Sequence, residues 1–195
     1  MGYTAIFGGT FNPFHNGHYE MLKALQNDER IDEIWIMPDR IPPHKECDYL
    51  PLDSDRINMC EIMAKEFSKA SVCLIEFERE GKSYSYDTVL ELKEKYREKN
   101  FVFVCGGDMF VYFPKWYRYE DLMKLLPFYV FSRVGTKAEE FYESVKQFKK
   151  MGMNIILNGS QISDISSTMF RNSGTPSLLP KKIYDYIKER GIYNV

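Results

Sequence analysis

Residues 8–18 read GGTFNPFHNGH, the densest concentration of chemically useful side chains in the chain. Gly8 and Gly9 close a short apolar run, and without side chains they let a phosphate approach the backbone. Pro13 stiffens the loop, and His15 and His18 stand three apart where a helical pattern begins. In helical geometry that spacing places both imidazoles on one side, and a helix start adds oriented N–H donors and a positive dipole end. The combination describes an anion site. A nearby triphosphate would push both imidazoles towards the cationic form. The same spacing also suits two surface residues or half of a metal site, and a third histidine ligand would have to be His44. The segment is neither a G-x-G-x-x-G fingerprint nor a Walker loop. A second polar cluster, ISSTMFR, spans 165–171. Alone, Ser166, Ser167 and Thr168 read as a good helix cap, and Arg171 as a cation one turn later.

These residues need a frame, and the rest of the chain supplies one. YTAIFG (3–8), IWIM (34–37), VCLIEF (72–77), FVFVC (101–105), FYVFS (128–132) and NIILN (154–158) are strand candidates. Helical patterns lie at 17–27, from Asp53 or Ser54 onwards, and at 87–99, 117–126, 138–151 and 180–190. Alternation of strands and helices predicts an α/β fold with a parallel sheet covered on both faces. In such sheets ligands bind outside the carboxyl ends of the strands. The loops after Gly8, Met37, Phe77, Cys105 and Asn158 should therefore share one rim. The Pro-rich stretch from 38 to about 52 is too long for a tight connection and reads as a binding loop.

Composition narrows the function classes. The chain has 195 residues, 44% of them hydrophobic, with a net charge of -2. A broad polyanion-binding face would be more basic, so extended nucleic-acid contact is not expected. KEKYREK (93–99) reads as the solvated face of a helix. Cys47, Cys60, Cys73 and Cys105 form no C-x-x-C pair, which favours reduced structural thiols over a zinc site or a disulfide framework. No signal-like segment, myristoylation pattern or apolar run of about 20 residues is present. The expectation is a cytoplasmic protein without membrane contact, and a homo-oligomer is left open.

With both polar clusters in view, the chain resembles the nucleotidyltransferase superfamily related to class I aminoacyl-tRNA synthetases. That superfamily carries G-T-F-x-P-x-H-x-G-H early and a Ser/Thr-rich turn leading to a basic residue late. Further segments resemble one branch, the bacterial nicotinate-nucleotide adenylyltransferases. They are PDRIPPHK (38–45), SYSYDT (83–88), GGDMFVYFPKWYR (106–118) and the ending LLPKKIYDYIKERGIY. The likeness runs in the family's motif order from residue 5 onwards. It implies a Rossmann-like doubly wound sheet of nucleotidyltransferase type. It also implies a single domain over 1–195, with about 160–195 forming a small helical portion.

The resemblance further implies transfer of AMP from ATP to nicotinate mononucleotide, with Mg²⁺ held mainly by ATP phosphates. His15, His18 and Arg171 would be the catalytic groups. Gly8, Gly9, Thr10 and Phe11 would join them around ATP, with Gly106, Asp108, Ile165 and the 166–168 turn. Lys45, Ser83, Ser85, Trp116 and Tyr117 would hold the mononucleotide. Read alone, Trp116 is equally a core tryptophan, Asp108 a turn former and Lys45 a solvent-facing lysine. Three departures from the branch stand out. Asn12 takes the place of the common Asp, Ser85 replaces Thr, and 171–180 is several residues shorter. Phosphopantetheine adenylyltransferases share the first motif but not the Pro-Lys-Trp segment, and they tend to have Lys where Arg171 stands. Nicotinamide mononucleotide is the closer rival substrate. A non-catalytic nucleotide sensor on the same fold is the remaining alternative.

Overall fold

A strand that is apolar on both sides must be covered on both sides, and β1 (Tyr3–Gly9) is such a strand at the centre of the sheet. In the computed structural model, which describes residues 2–41, 49–133 and 138–195, it is followed by α1 (Asn16–Gln26) and β2 (Ile31–Pro38). Next come α2 (Asp53–Ala64), β3 (Ala70–Val72), α3 (Ser85–Lys95) and β4 (Phe101–Gly106). Two short helices, α4 (Gly107–Tyr112) and α5 (Tyr119–Leu125), precede β5 (Phe128–Arg133). The chain continues through α6 (Ala138–Lys150), β6 (Ile155–Ile162), α7 (Ser167–Ser173) and α8 (Lys181–Arg190).

The six strands are parallel, in the order β3-β2-β1-β4-β5-β6. The order reverses between β1 and β4, the switch point at which doubly wound sheets open a crevice. Register explains how the crevice forms. β1 stays paired with β2 as far as Gly9 opposite Pro38, but its pairing with β4 stops at Ile6 opposite Phe103. The last residues of β1 and β4 therefore part.

Successive strand side chains point to opposite faces, and two cores result. Ala5, Phe7, Val102, Val104 and Phe131 face Met21, Leu22, Leu25, Met59 and Met63 of α1 and α2. Phe170, Ile183 and Ile187, from α7 and α8, join the same cluster. On the opposite face, Ile6, Phe103, Cys105 and Val130 pack against Val89 and Leu92 of α3, Phe110 of α4 and Phe148 of α6. Both faces are covered, as the alternating pattern predicts.

Two expectations change. VCLIEF is not one strand: pairing with β2 ends at Val72, and a 3₁₀ turn spans Ile75–Phe77. β3 is an edge strand with one neighbour, so nothing holds it extended once Ile75 turns into the core, where it is 2% exposed. The second change is α4 with the 3₁₀ turn Phe113–Lys115, because the predicted helix begins only at 117. Its Gly-Gly start, near-continuous aromatic run and Pro114 hide any helical period. Among the described residues no helix is long and apolar enough to cross a membrane.

Candidate active site

His15 is the N-cap of α1, in extended conformation, and His18 is its third residue. The His15 Nδ1 accepts from the His18 backbone N–H at 3.4 Å, and the His18 Nδ1 accepts from the His15 N–H at 3.2 Å. This is a reciprocal capping box in which imidazoles stand where Ser and Glu usually do. The rings stack with centroids 3.6 Å apart and planes 22° from parallel. The shared side expected from the spacing is therefore present. Each Nδ1 is thus occupied as an acceptor by the other residue's backbone N–H. A neutral ring that accepts at Nδ1 carries its proton at Nε2, and that N–H is its donor.

Neighbouring residues fix the pair. A Cβ on Gly17 would lie 3.1 Å from both Cε1 and Nδ1 of His15, so any other residue there would press on the ring. His18 sits edge-on to Phe11 at 5.0 Å and packs against Phe14 at 5.1 Å. Phe11 itself is 1% exposed, which makes its ring the wall behind His18 more than a contact surface. Its backbone is left-handed, with φ 48°.

The two signature segments, about 150 residues apart in sequence, are bonded to each other. The Ser167 hydroxyl donates to the Pro13 carbonyl at 2.9 Å, and Arg171 Nη1 donates to the Asn12 carbonyl at 2.6 Å. Arg171 Nη2 also donates to Thr168 Oγ1 at 3.0 Å. Ser166 caps α7 by accepting from the Met169 N–H. The three hydroxyls thus build the turn and hold it against the histidine loop. Only seven residues long, α7 ends at Gly174 in left-handed conformation, in keeping with the short 171–180 segment.

Beneath this loop lies Arg56, fully buried. Its Nη1 donates to the carbonyls of Thr10 and Asp39 at 3.1 and 2.6 Å, and it pairs with Asp39 and Asp53 at 3.2 and 2.6 Å. The Thr10 hydroxyl donates to Asp39 at 2.8 Å. One guanidinium thereby joins the loops after β1 and β2 to the start of α2. Desolvating a cation is costly, and the paired carboxylates with several acceptors offset it.

The other half of the cavity is aromatic. Trp116, half-buried, packs edge-on to Phe103 at 5.7 Å and Phe113 at 5.4 Å. Tyr117, 47% exposed, lies against Tyr84 at 4.6 Å. Ser85 opens α3, and the buried Ser83 hydroxyl accepts the Arg40 N–H at 3.1 Å. Below them the Glu76 carboxylate accepts from Thr88 Oγ1 at 2.9 Å. Burial pushes this carboxyl above its usual value, with the Ser83 and Thr88 hydroxyls opposing. Gly106 ends β4, and Asp108, exposed, occupies the first turn of α4.

Every described residue expected from the sequence lines this one cavity except Ile165. Ile165 stands outside it, its N–H donating back to Ser163 at 2.8 Å. Lys45 lies outside the described residues, as do His44 and Cys47. Sequence reasoning missed Asp39, Arg56 and Glu76. An Arg within DSDRIN carries the signature of a solvated helix face, and only long-range contacts reveal it as buried. Among the described residues no group of three or more His, Cys, Asp or Glu side chains gathers to hold a metal. No disulfide joins Cys60, Cys73 and Cys105 to one another, and burial pushes the thiols of Cys60 and Cys73 above their usual value.

The sequence model of the cytidylyltransferase-like family matches residues 6–173. A probable nicotinate-nucleotide adenylyltransferase of Bacillus mycoides is 37% identical over 188 residues, covering 96% of each chain. The nicotinate-nucleotide adenylyltransferase of Bacillus subtilis is 35% identical over 193 residues, again covering 96% of each. Among solved structures, the Plasmodium falciparum nicotinic acid mononucleotide adenylyltransferase complexed with NaAD superposes with a TM-score of 0.79. It covers 100% of this chain and 98% of its own at 24% identity, which shows the shared fold. The chain belongs to the cytidylyltransferase-like family, in its nicotinate-nucleotide adenylyltransferase branch.

Proposed function

We propose that this chain transfers the adenylyl group of ATP to nicotinate mononucleotide, giving nicotinate adenine dinucleotide and pyrophosphate for NAD biosynthesis. The observation that carries the reading is the direct bonding of the two signature segments around one cavity at the sheet's switch point. A mononucleotide phosphate oxygen attacks the α-phosphorus of ATP. The new P–O bond forms as the bond to the β-phosphate oxygen breaks, and pyrophosphate leaves in line. A phosphate monoester is largely dianionic near neutral pH, its second pKa being about 6, so no general base is needed. Positioning and charge stabilisation carry the catalysis.

His15 and His18 serve as Nε2–H donors to the phosphate oxygens whose charge grows in the transition state. Arg171, fixed by Asn12 and Thr168, holds the outer phosphates together with the 166–168 turn. Gly8, Gly9, Thr10 and the backbone of Phe11 form the floor beneath the triphosphate, while Gly106 and Asp108 face the ATP ribose. Trp116 and Tyr117 flank the pyridine ring, with Ser83 and Ser85 beside them and Lys45 as a further phosphate contact. ATP would enter as its magnesium complex, the ion supplying charge neutralisation and bound mainly through the ATP phosphates. Residues 1–195 act as one unit in the cytoplasm, the helical portion from about 160 contributing Arg171. A homo-oligomeric assembly is compatible with this role.

The test is a product assay with MgATP and, separately, nicotinate mononucleotide, nicotinamide mononucleotide and phosphopantetheine, read by chromatography. Dinucleotide formed fastest from the nicotinate substrate is the expected result. Faster product from the nicotinamide form would overturn the acid preference. ATP binding without product from any of the three would point to a sensor.

A further inference from the structure

We propose that Tyr193 is a positioning residue for ATP, acting through Asn12 on Arg171; this rests on the adenylyl-transfer reading above. Beyond α8 the chain turns back towards the cavity, and the Tyr193 hydroxyl donates to Asn12 Oδ1 at 2.6 Å. The Asn12 amide donates from Nδ2 to the Tyr49 carbonyl at 2.9 Å, and its own backbone carbonyl accepts Arg171 Nη1 at 2.6 Å. Asn12 is 2% exposed. One buried residue thus joins the segment after α8, the near edge of the loop after β2 and the guanidinium of the second signature.

The chemistry explains asparagine at position 12. Its side chain meets one donor, the Tyr193 hydroxyl, and one acceptor, the Tyr49 carbonyl, and an amide satisfies both at once where an ionised carboxylate cannot. A carboxylate would turn an oxygen against the Tyr49 carbonyl. Burial pushes the Tyr193 hydroxyl far above its usual value, which keeps its proton available for this bond.

The backbone corroborates a built-in strap. Tyr193 and Asn194 are both left-handed, with φ 63° and 58°, a conformation non-glycine residues hold only when their surroundings over-determine it. Here the surroundings are the edges of Tyr49 at 5.4 Å and Phe170 at 5.9 Å. A Cβ on Gly174, the cap of α7, would come within 3.3 Å of Val195. The segment is therefore packed on the helix that carries Arg171.

Tyr193→Phe keeps the ring and removes only the hydroxyl, leaving Asn12 Oδ1 buried without its donor. An unsatisfied buried acceptor weakens what it supports by about tenfold. The expected result is a rise of about tenfold in both KM and calorimetric Kd for MgATP, with KM for the mononucleotide within about twofold of wild type. Tyr129→Phe serves as the control. Its hydroxyl bonds Asp28 and Asn158 away from the cavity, so its loss should lower Tm without touching either KM. In an Asn12→Ala background, Tyr193→Phe should add nothing further. Unchanged ATP affinity, equal losses towards both substrates, or additive effects with Asn12→Ala would each overturn the proposal. If Tyr193→Phe does not fold, Asn12→Ala is read on the same two substrates: a loss confined to MgATP supports the proposal, and an unchanged or equal loss overturns it. The calorimetric arm needs no turnover, so a failure of the proposed reaction would be seen separately.

Discussion

The two halves of the cavity are built by different physics. Around His15, His18 and Arg171, directional hydrogen bonds lock backbone to side chain: the imidazole box, the Ser167 and Arg171 bonds to the loop, and the buried Arg56 strut. Around Trp116 and Tyr117 the walls are mainly aromatic edges. The first arrangement suits charge that develops at a fixed point, and the second suits a flat ring that must enter and leave. Substitutions at His15, His18 or Arg56 in the first half should therefore strike turnover or folding, and those in the second should strike affinity for the mononucleotide.

The largest expected effect undermines the first half from beneath. Arg56→Ala removes the buried cation between Asp39 and Asp53, and removing one partner of such a pair costs about 3–5 kcal/mol. Denaturant unfolding should show a loss of that size. A loss below about 1 kcal/mol would mean that the strut is dispensable. His18→Ala should cut turnover a hundred- to a thousandfold, about 2.7–4 kcal/mol in transition-state stabilisation. Its Tm should fall by only a few degrees, since the cap bond from the His15 N–H is lost while Phe11 and Phe14 still fill the wall. Near-normal turnover would remove His18 from the mechanism.

Trp116→Phe probes the same contrast from the aromatic side. It should raise KM for the mononucleotide roughly two- to tenfold, the worth of one aromatic contact, with turnover unchanged. A fall in turnover instead would erase the distinction between the halves.

The smallest effect concerns Glu76, whose carboxyl burial raises above its ordinary 4.5. Between that value and the raised one, the folded chain holds a proton that the unfolded chain has released. Stability from this group is thus fully present below the unfolded pKa and is lost as pH rises through the folded one. Glu76→Gln should flatten that decline, by at most about 1.4 kcal/mol per pH unit. A slope identical to wild type would show that Glu76 titrates normally.

How much of this is legible in the sequence follows the range of the interactions. The strands around Ile6, Ile34, Val102 and Val130 announce themselves because burial on both faces demands continuous apolar runs. The shared rim is readable because parallel topology fixes where carboxyl ends lie, but its last member is displaced: Asn158 lies inside β6, which runs on to Ile162, and the cavity is reached only from Ser166. Helix α4 is hidden by Gly106, Gly107 and Pro114, which break the period used to find helices. The VCLIEF run misleads because an edge strand can be abandoned after three residues while its apolar side chains still reach the core. His-x-x-His is legible as a pair but not as a capping box, whose usual residues are Ser or Thr with Glu or Gln. Arg56 and Tyr193 are invisible for a deeper reason, since their roles reside in contacts with residues far away in the chain.

Phosphorus NMR of a reaction containing the protein, MgATP and nicotinate mononucleotide reads directly whether one cavity joins an adenylyl group to a pyridine mononucleotide. ATP and mononucleotide signals should decline together while a dinucleotide diphosphate signal and pyrophosphate appear in equal amounts. ATP decaying to ADP and inorganic phosphate, with the mononucleotide untouched, would refute adenylyl transfer by this chain.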